Sequence, residues 1–364
     1  MKKTATIVAL LLAALAGYLL LWPVPVDPVA WQAPAAPGYQ GPHAPNQRLA
    51  GLTLIPLGDD AGPEHVVVRD GKVYAAMASG RILRMNLDGS GQQVYASTGG
   101  RVLGFDFDAG GRLIAADAIK GLLAVGPDGR ATVLADRVDG DPIRYADAVV
   151  VAKNGRIYFS DASARFAPAQ WGGTYEAAVL DIIEQRCTGR ILEHDPASGR
   201  TRVVAQGFCF ANGVALSEDE QTLFVAETGR YWVWTLAVAA ERLDVGSGSP
   251  QARVLLDNLP GYPDNLMRGR EGRIWLGFSG PRSAQVDGMA GKPWLRSLTL
   301  RLPRALWPLP KPYGHVIAFG EDGRVLADLQ DPGGGYPEAT GVTESADRLY
   351  VQNLHNKVLG WKAR

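Results

Sequence analysis

Four short stretches of this chain place an oxygen-bearing side chain just after a turn-forming or aromatic residue. They are Gly62-Pro63-Glu64, Tyr145-Ala146-Asp147, Phe210-Ala211-Asn212-Gly213 and Tyr262-Pro263-Asp264-Asn265. Carboxylate and amide oxygens without His or Cys suit a hard cation, and calcium accepts six to eight such oxygens at about 2.3–2.6 Å. Calcium is therefore the expected ion at Glu64, Asp147, Asn212, Asp264 and Asn265, with magnesium or manganese as alternatives. Asp and Asn also initiate turns by bonding nearby backbone, so the reading requires a fold that brings the four stretches to one place.

A repeated unit supplies such a fold. A turn followed by a short apolar strand recurs at Asp70–Ala76, Gly110–Ala116, Asn154–Ser160, Glu220–Ala226, Glu271–Gly277 and Ala346–Gln352. Each copy is followed by another strand, at Gly80–Met85, Lys120–Val125, Gly189–His194, Tyr231–Leu236, Gly314–Phe319 and Asn356–Trp361. Hairpins rich in β-branched and aromatic residues, repeated every ~40–50 residues, imply propeller blades. The expected fold is all-β, a six-bladed β-propeller over residues 48–364. Little chain remains after Trp361, so residues 47–58, with Leu52, Leu54 and Ile55, are expected to supply the outer strand of the last blade. In a propeller the start of each innermost strand shares a face with the loop between the second and third strands. The oxygen ligands should thus converge at one mouth of the channel, under the long loops 163–188 and 279–313.

The N-terminal residues stand apart from that body. Met1-Lys2-Lys3 precede an uncharged run from Thr4 to Trp22, long enough at ~1.5 Å per residue to cross a bilayer core of about 30 Å. Charges ahead of the run, with no Lys or Arg after it until Arg48, imply an N-in, single-pass anchor over residues 1–22 with the remainder exported. A cleaved signal peptide ending at Ala14-Leu15-Ala16 is the competing reading. Residues 23–47 carry seven prolines and read as an extended tether. With 37 basic against 37 acidic residues, nothing supports counterion-driven binding to nucleic acid.

The motifs Gly62-Pro63-Glu64, Ala115–Leu122, Arg156–Ser163, Phe210–Val214, Val225–Thr228 and Gly261–Asn265 resemble the strictosidine synthase-like family. Within it, the chain is most similar to the adipocyte plasma membrane-associated protein group, which is likewise an N-anchored six-bladed propeller. Paraoxonases and the SMP-30/gluconolactonase proteins are more distant relatives. The resemblance implies metal-dependent hydrolysis of esters or lactones, of arylesterase or lactonase type. The calcium ligands of paraoxonase-like enzymes fall on Glu64, Asp147, Asn212, Asp264 and Asn265, and those of the gluconolactonases on Glu64, Asn212 and Asp264. Asp147 stands where relatives usually carry Asn. On this reading Asp147 or Glu64 assists the attacking water, and a small ester or lactone is the substrate. The glutamate that plant condensing enzymes use aligns with Thr340, with Glu338 two residues away, and the paraoxonase histidine pair has no counterpart at Leu103-Gly104. An amine–aldehyde condensing activity and a non-catalytic, metal-stabilised binding propeller are the alternative functions.

Other residues carry weaker expectations. His65 adjoins Glu64, but strand alternation turns it to the opposite side. His43 lies in the tether, and His194, His315 and His355 lie in or near third strands, where packing or surface roles are expected. Cys187 and Cys209 flank one open hairpin end, where an exported chain either bridges them or leaves two buried thiols. The segment 289–313 interleaves Trp294, Leu306 and other apolar residues with Lys292, Arg296, Arg301, Arg304 and Lys311, a pattern for a lid or a membrane-surface contact. Phe166, Trp171 and Tyr175 are expected to form an apolar wall of the site.

Overall fold

The computed structural model describes residues 2–364. Strands gather into six antiparallel blades, at residues 65–97, 102–135, 146–208, 211–256, 261–331 and 341–363. The last blade is closed as its three-strand remnant requires: Thr53–Pro56 pairs with Val358–Ala363, Thr53 opposite Trp361 and Pro56 opposite Val358. N- and C-terminal segments thus share one sheet, which closes the ring and leaves no unpaired inner edge. Blade three gains a short fifth strand, Leu243–Asp244, parallel to its outer strand.

Blades stack face to face, so their inner strands are buried on both sides and read as apolar runs rather than alternating ones. Leu113–Asp117 and Gly121–Val125 are buried at every position. The apolar core is correspondingly divided into clusters between neighbours. One joins Ala76 and Ile82 to Phe105 and Leu113, between blades one and two. Another joins Val66 and Val73 to Tyr350 and Leu359, across the closure.

A helix, Lys2–Leu21, has no buried residue and is long and apolar enough to cross a membrane. The prolines after it do keep the chain extended, but residues 23–47 are not a free tether. They form a strap docked on the propeller. Val26 is buried with Leu103, Tyr145 and Phe210, Val29 N donates to the Glu184 carbonyl at 2.8 Å, and Trp31 N donates to the Ala290 carbonyl at 3.1 Å. Trp31 packs under the Arg230 guanidinium, 4.2 Å from its ring centroid. Proline lacks a backbone donor but keeps its carbonyl, and the strap uses it: Arg282 donates to the Pro34 oxygen at 2.7 Å.

Both long loops contain helices. The first carries Pro168–Trp171 and Thr174–Glu184, and the second carries Ala284–Gly288 and Pro293–Arg301. Together with the strap they roof one face of the channel. Cys187 and Cys209 are bridged in a disulfide at the edge of this roof.

Candidate active site at the roofed mouth of the channel

Blades two, three and four position the chain at the mouth by the same local device. The second strand ends in a buried acid that accepts backbone N–H groups from the chain approaching the first strand. Asp117 accepts from Arg101 N at 3.1 Å. Asp161 accepts from Arg144 N and Tyr145 N at 3.2 and 2.8 Å, and Glu227 accepts from Cys209 N at 2.7 Å. These carboxylates satisfy donors that burial would otherwise leave unpaired, and so fix the segments carrying Arg101, Asp147 and Asn212. The signal was present in the sequence, since Asp117, Asp161 and Glu227 end equivalent repeats.

The pairing of first and second strands is irregular where the expected ligands lie. Register shifts fall between Ala146 and Val149, between Ala211 and Val214, and at Pro263 on both sides. A bulge re-aims side chains relative to strict alternation, and here it accompanies Asp147, Asn212 and Asp264. Gly213 permits this crowding, because a Cβ there would meet the Leu266 amide nitrogen and the Asp264 carbonyl. Gly62 has φ +62°, in the left-handed region that glycine enters without strain, and turns the chain into Glu64.

Glu64, Asp147, Asn212 and Asp264 all border one cavity of about 360 Å³, and all four are buried. Its walls are apolar, from Leu103, Tyr145, Phe210 and Tyr262 on the blades and Ile182, Trp307 and Leu309 in the roof. Burial, then the charge of Glu64, holds the Asp147 carboxyl well above the usual carboxylate range, with Arg101 opposing. Burial followed by Glu64 and Asp147 raises Asp264 likewise, while Ser279 and Asn212 favour its charged form. Glu64 is raised chiefly by burial, against the pull of Arg101 and His355. The Arg101–Glu64 ion pair, at 3.5 Å, is long, and Arg101 Nη1 and Asn212 Oδ1 are buried without partners. Three repelling carboxylates and an orphaned amide oxygen, beside a single Arg, form a donor set short of positive charge.

Not every expected ligand reaches the cavity. Asn265 lies beneath the mouth instead: its Nδ2 donates to the Glu64 carbonyl at 3.0 Å, and its backbone N donates to the Thr340 carbonyl at 2.9 Å. The register shifts on both sides of Pro263 set the direction of this pair, and Asp264 borders the cavity while Asn265 does not. Of the expected aromatic wall, Tyr175 lines the cavity. Phe166 instead packs beneath the roof with Val26 and Leu180, with Trp171 against it. His65 is buried edge-on to Phe105, 5.1 Å between ring centroids, and burial pushes its imidazole down to about 4.

At the rim, His355 and Glu338, 17 residues apart in the chain, come together. His355 Nδ1 lies 2.7 Å from Glu338 Oε2, and Glu338 borders the cavity. This contact, more than any other influence, raises the His355 imidazole.

Roof and floor are joined by polar ties. Tyr145 donates to the Thr174 carbonyl at 2.8 Å, and Ser163 Oγ donates to Asp181 Oδ2 at 2.6 Å. Asp181 is buried and its Oδ1 has no partner, so burial raises its carboxyl to about 7. Against an unfolded value near 3.9, the folded state then holds the extra proton between about pH 4 and pH 7. Its contribution to stability is therefore fully favourable below that window and falls as pH rises through it. Asp181→Asn, which cannot ionise, should gain on the wild type by up to ~4 kcal/mol by pH 8 and match it near pH 4. Melting curves across this range check the assignment, and a constant offset between the two proteins contradicts it.

Among the described residues, the groups of three or more His, Cys, Asp or Glu donors within 4.8 Å of one another are His43, His315 and Asp328, and Cys187, Cys209 and Glu227. The mouth carboxylates are set more widely, and the disulfide removes the second group as a metal site.

Comparison with known proteins places this arrangement. The pattern described as "SMP-30/Gluconolactonase/LRE-like region" matches residues 66–291, and "Strictosidine synthase-like, N-terminal" matches residues 41–85. The chain is 32% identical over 338 residues to protein strictosidine synthase-like 10 of Arabidopsis thaliana, covering 84% of this chain and 86% of that one. It is 35% identical over 244 residues to protein strictosidine synthase-like 13 of the same plant, covering 64% of this chain and 56% of the relative. An adipocyte plasma membrane-associated protein from Salmo salar is 28% identical, with 85% and 77% covered. Among solved structures, a gluconolactonase from Xanthomonas campestris superposes with TM-score 0.61 at 20% identity, covering 94% of this chain and 99% of that one. A calcium-binding regucalcin from Agrobacterium tumefaciens gives TM-score 0.55 at 13% identity, with 86% and 94% covered. The propeller fold is thus shared with both, and by sequence the chain belongs to the strictosidine synthase-like group of the SMP-30/gluconolactonase/LRE-like family.

Proposed function

We propose that this protein is a membrane-anchored, calcium-dependent hydrolase of esters or lactones. The observation that carries the reading is the set of three buried carboxylates and an unpartnered Asn212 Oδ1 at the floor of an apolar cavity. Glu64, Asn212 and Asp264 would hold the ion, with Asp147 beside them. Calcium's tolerance of six to eight loosely arranged oxygens, water included, suits a set this wide. The bound ion would polarise the scissile carbonyl and offset the oxyanion charge.

The chain's own residues divide the remaining work. Asp147 accepts the proton of the attacking water, with Glu64 as the alternative acceptor. Water adds to the carbonyl carbon, the acyl–oxygen bond breaks, and the leaving oxygen takes the proton that the carboxylate accepted from water. Products are an acid and an alcohol or phenol from an ester, and a single hydroxy acid from a lactone. Arg101 pairs with Glu64 and favours its ionised form against the effect of burial. Leu103, Phe210 and Trp307 surround the acyl or aryl group and exclude bulk water, which strengthens every charge interaction at the floor. The calcium-binding regucalcin neighbour and the gluconolactonase neighbour support this assignment.

The membrane reading rests on the roof. Arg301 Nε donates to the Trp22 carbonyl at 2.6 Å, so the end of the apolar helix meets Pro293–Arg301. Trp294 and Leu306 are 62% and 64% exposed on the same segment, among Lys292, Arg301, Arg304 and Lys311. Exposed aromatic and aliphatic residues with interleaved cations fit the interface of an anionic bilayer. The anchor's flanking charges favour an N-in orientation with the propeller on the exported side.

The deciding assay uses the full chain in detergent against a panel of aryl esters and lactones. Activity should disappear with EDTA and return with calcium. A calcium-bound, folded protein that turns over nothing on the panel would instead favour a binding propeller.

A further inference from the structure

We propose a second metal site, separate from the channel mouth, that takes zinc or a similar nitrogen-seeking transition ion and fastens the strap to blade five. Three ligating side chains meet there. His43 ends the short turn Gly41–His43 of the strap, His315 lies in the third strand of blade five, Gly314–Phe319, and Asp328 lies in its outer strand, Val325–Asp331. His43 Nδ1 is 2.7 Å and His315 Nε2 2.9 Å from the same atom, Asp328 Oδ2. All three donor atoms lie within 4.8 Å of one another, and an ion bonded to each at ~2.0–2.2 Å would draw them to about 3.3–3.6 Å apart in tetrahedral geometry.

The surroundings orient the carboxylate for this task. Asp328 Oδ1 accepts from Gln330 Nε2 at 2.6 Å and from Asn46 Nδ2 at 3.1 Å, which directs Oδ2 toward both imidazoles. Outer hydrogen bonds of this kind commonly hold a ligating carboxylate in place. The His315 ring is fixed by Phe278 stacked on it, 4.5 Å between centroids. Asp328 and His315 are buried, and His43 retains 13% side-chain exposure, giving an ion a route in. Two imidazoles and one carboxylate, with water as fourth ligand, match zinc's tetrahedral preference and differ from the all-oxygen mouth set.

The site also has a structural role to fill. Gln330 Nε2 reaches the His43 carbonyl at 3.1 Å, and the strap runs from there back across the roof of the cavity. An ion bonded to His43 would lock the outer end of that strap.

Cobalt(II) and zinc titrations of the full-length protein in detergent test the proposal. One equivalent of cobalt(II) should bind saturably with the visible absorption of four-coordinate nitrogen–oxygen ligation, and zinc should displace it. Zinc should also raise the melting temperature by a few degrees, as a ligand of the folded state does. Asp264→Asn, at the mouth, should leave both signals intact. His43→Gln should lose both, while its amide can still donate to Asp328 and keep the strap attached. Absence of saturable binding in the wild type, or binding unchanged in His43→Gln, overturns the proposal and leaves a plain hydrogen-bonded latch.

Discussion

Asp264→Asn is expected to make the metal-free protein more stable while abolishing its calcium response and lowering turnover by about 10²–10³-fold or more. The two signs have one cause. Asp264 shares its burial with Glu64 and Asp147, and all three carboxyls are pushed toward their neutral forms. Neutralising one relieves repulsion and desolvation that the folded state otherwise carries, by ~1–2 kcal/mol. The same change removes a charged ligand from the set on which a divalent ion depends. Melting temperatures with EDTA and with calcium should therefore cross: the variant is higher in EDTA, and only the wild type rises with calcium. An active variant with an intact calcium shift would show that Asp264 is not part of the site. Asp264→Ala should give the same functional loss with less stabilisation, because it leaves space beside Asn212.

Arg296→Ala should have the largest effect among changes away from the floor, destabilising the roof by about 3 kcal/mol. Arg296 is buried, and its Nη1 donates to the Ile183 carbonyl at 2.6 Å. Its Nη2 donates to the Ala290 carbonyl at 3.1 Å and to the Val29 carbonyl of the strap. One side chain thus joins the helix Thr174–Glu184, the segment before Pro293–Arg301 and the strap. Truncation leaves the Ile183 and Val29 carbonyls short of a donor, while Ala290 keeps Trp31 N, and it opens a void the size of the side chain. Hydrogen exchange should speed up in the strap and both roof helices, with the blades unaffected, because the ties are local to the roof. Substrate affinity should weaken more than the maximal rate, since Ile182 and Trp307 border the cavity while Arg296 touches no floor residue. Protection unchanged in those three segments would contradict the role of Arg296 as their joint.

Much of this was legible in the chain because a propeller writes its pattern many times over. Each blade needs a turn, an apolar strand and another turn, and the copies from Asp70–Ala76 to Ala346–Gln352 mark the second strands that the structure contains. Closure of blade six by residues 53–56 followed from arithmetic on the remaining chain and is observed. Glu64, Asp147, Asn212 and Asp264 were legible for the same reason: they occupy the same place in four of the six repeats, and that place faces the channel mouth.

What repetition did not encode, only the tertiary structure decided. Asn265 has the right chemistry, but its amide is turned to the Glu64 carbonyl, and the register shifts around Pro263 that set the direction of Asp264 and Asn265 leave no mark in composition. The prolines of residues 23–47 indicated extended chain correctly, yet whether that chain floats or docks depends on carbonyl partners such as Arg282 and Arg296, more than 200 residues away. His43, His315 and Asp328 share no spacing that a linear reading could detect, since 285 residues separate His43 from Asp328. The sequence by itself determined the repeating unit, the blade number, the apolar N-terminal helix and the residue types at the mouth, because these rest on local preference and periodicity. The roof, the docked strap, the set of mouth side chains that border the cavity and the His–Asp cluster rest on contacts between segments distant in the chain, which acquire energy only once the ring has closed.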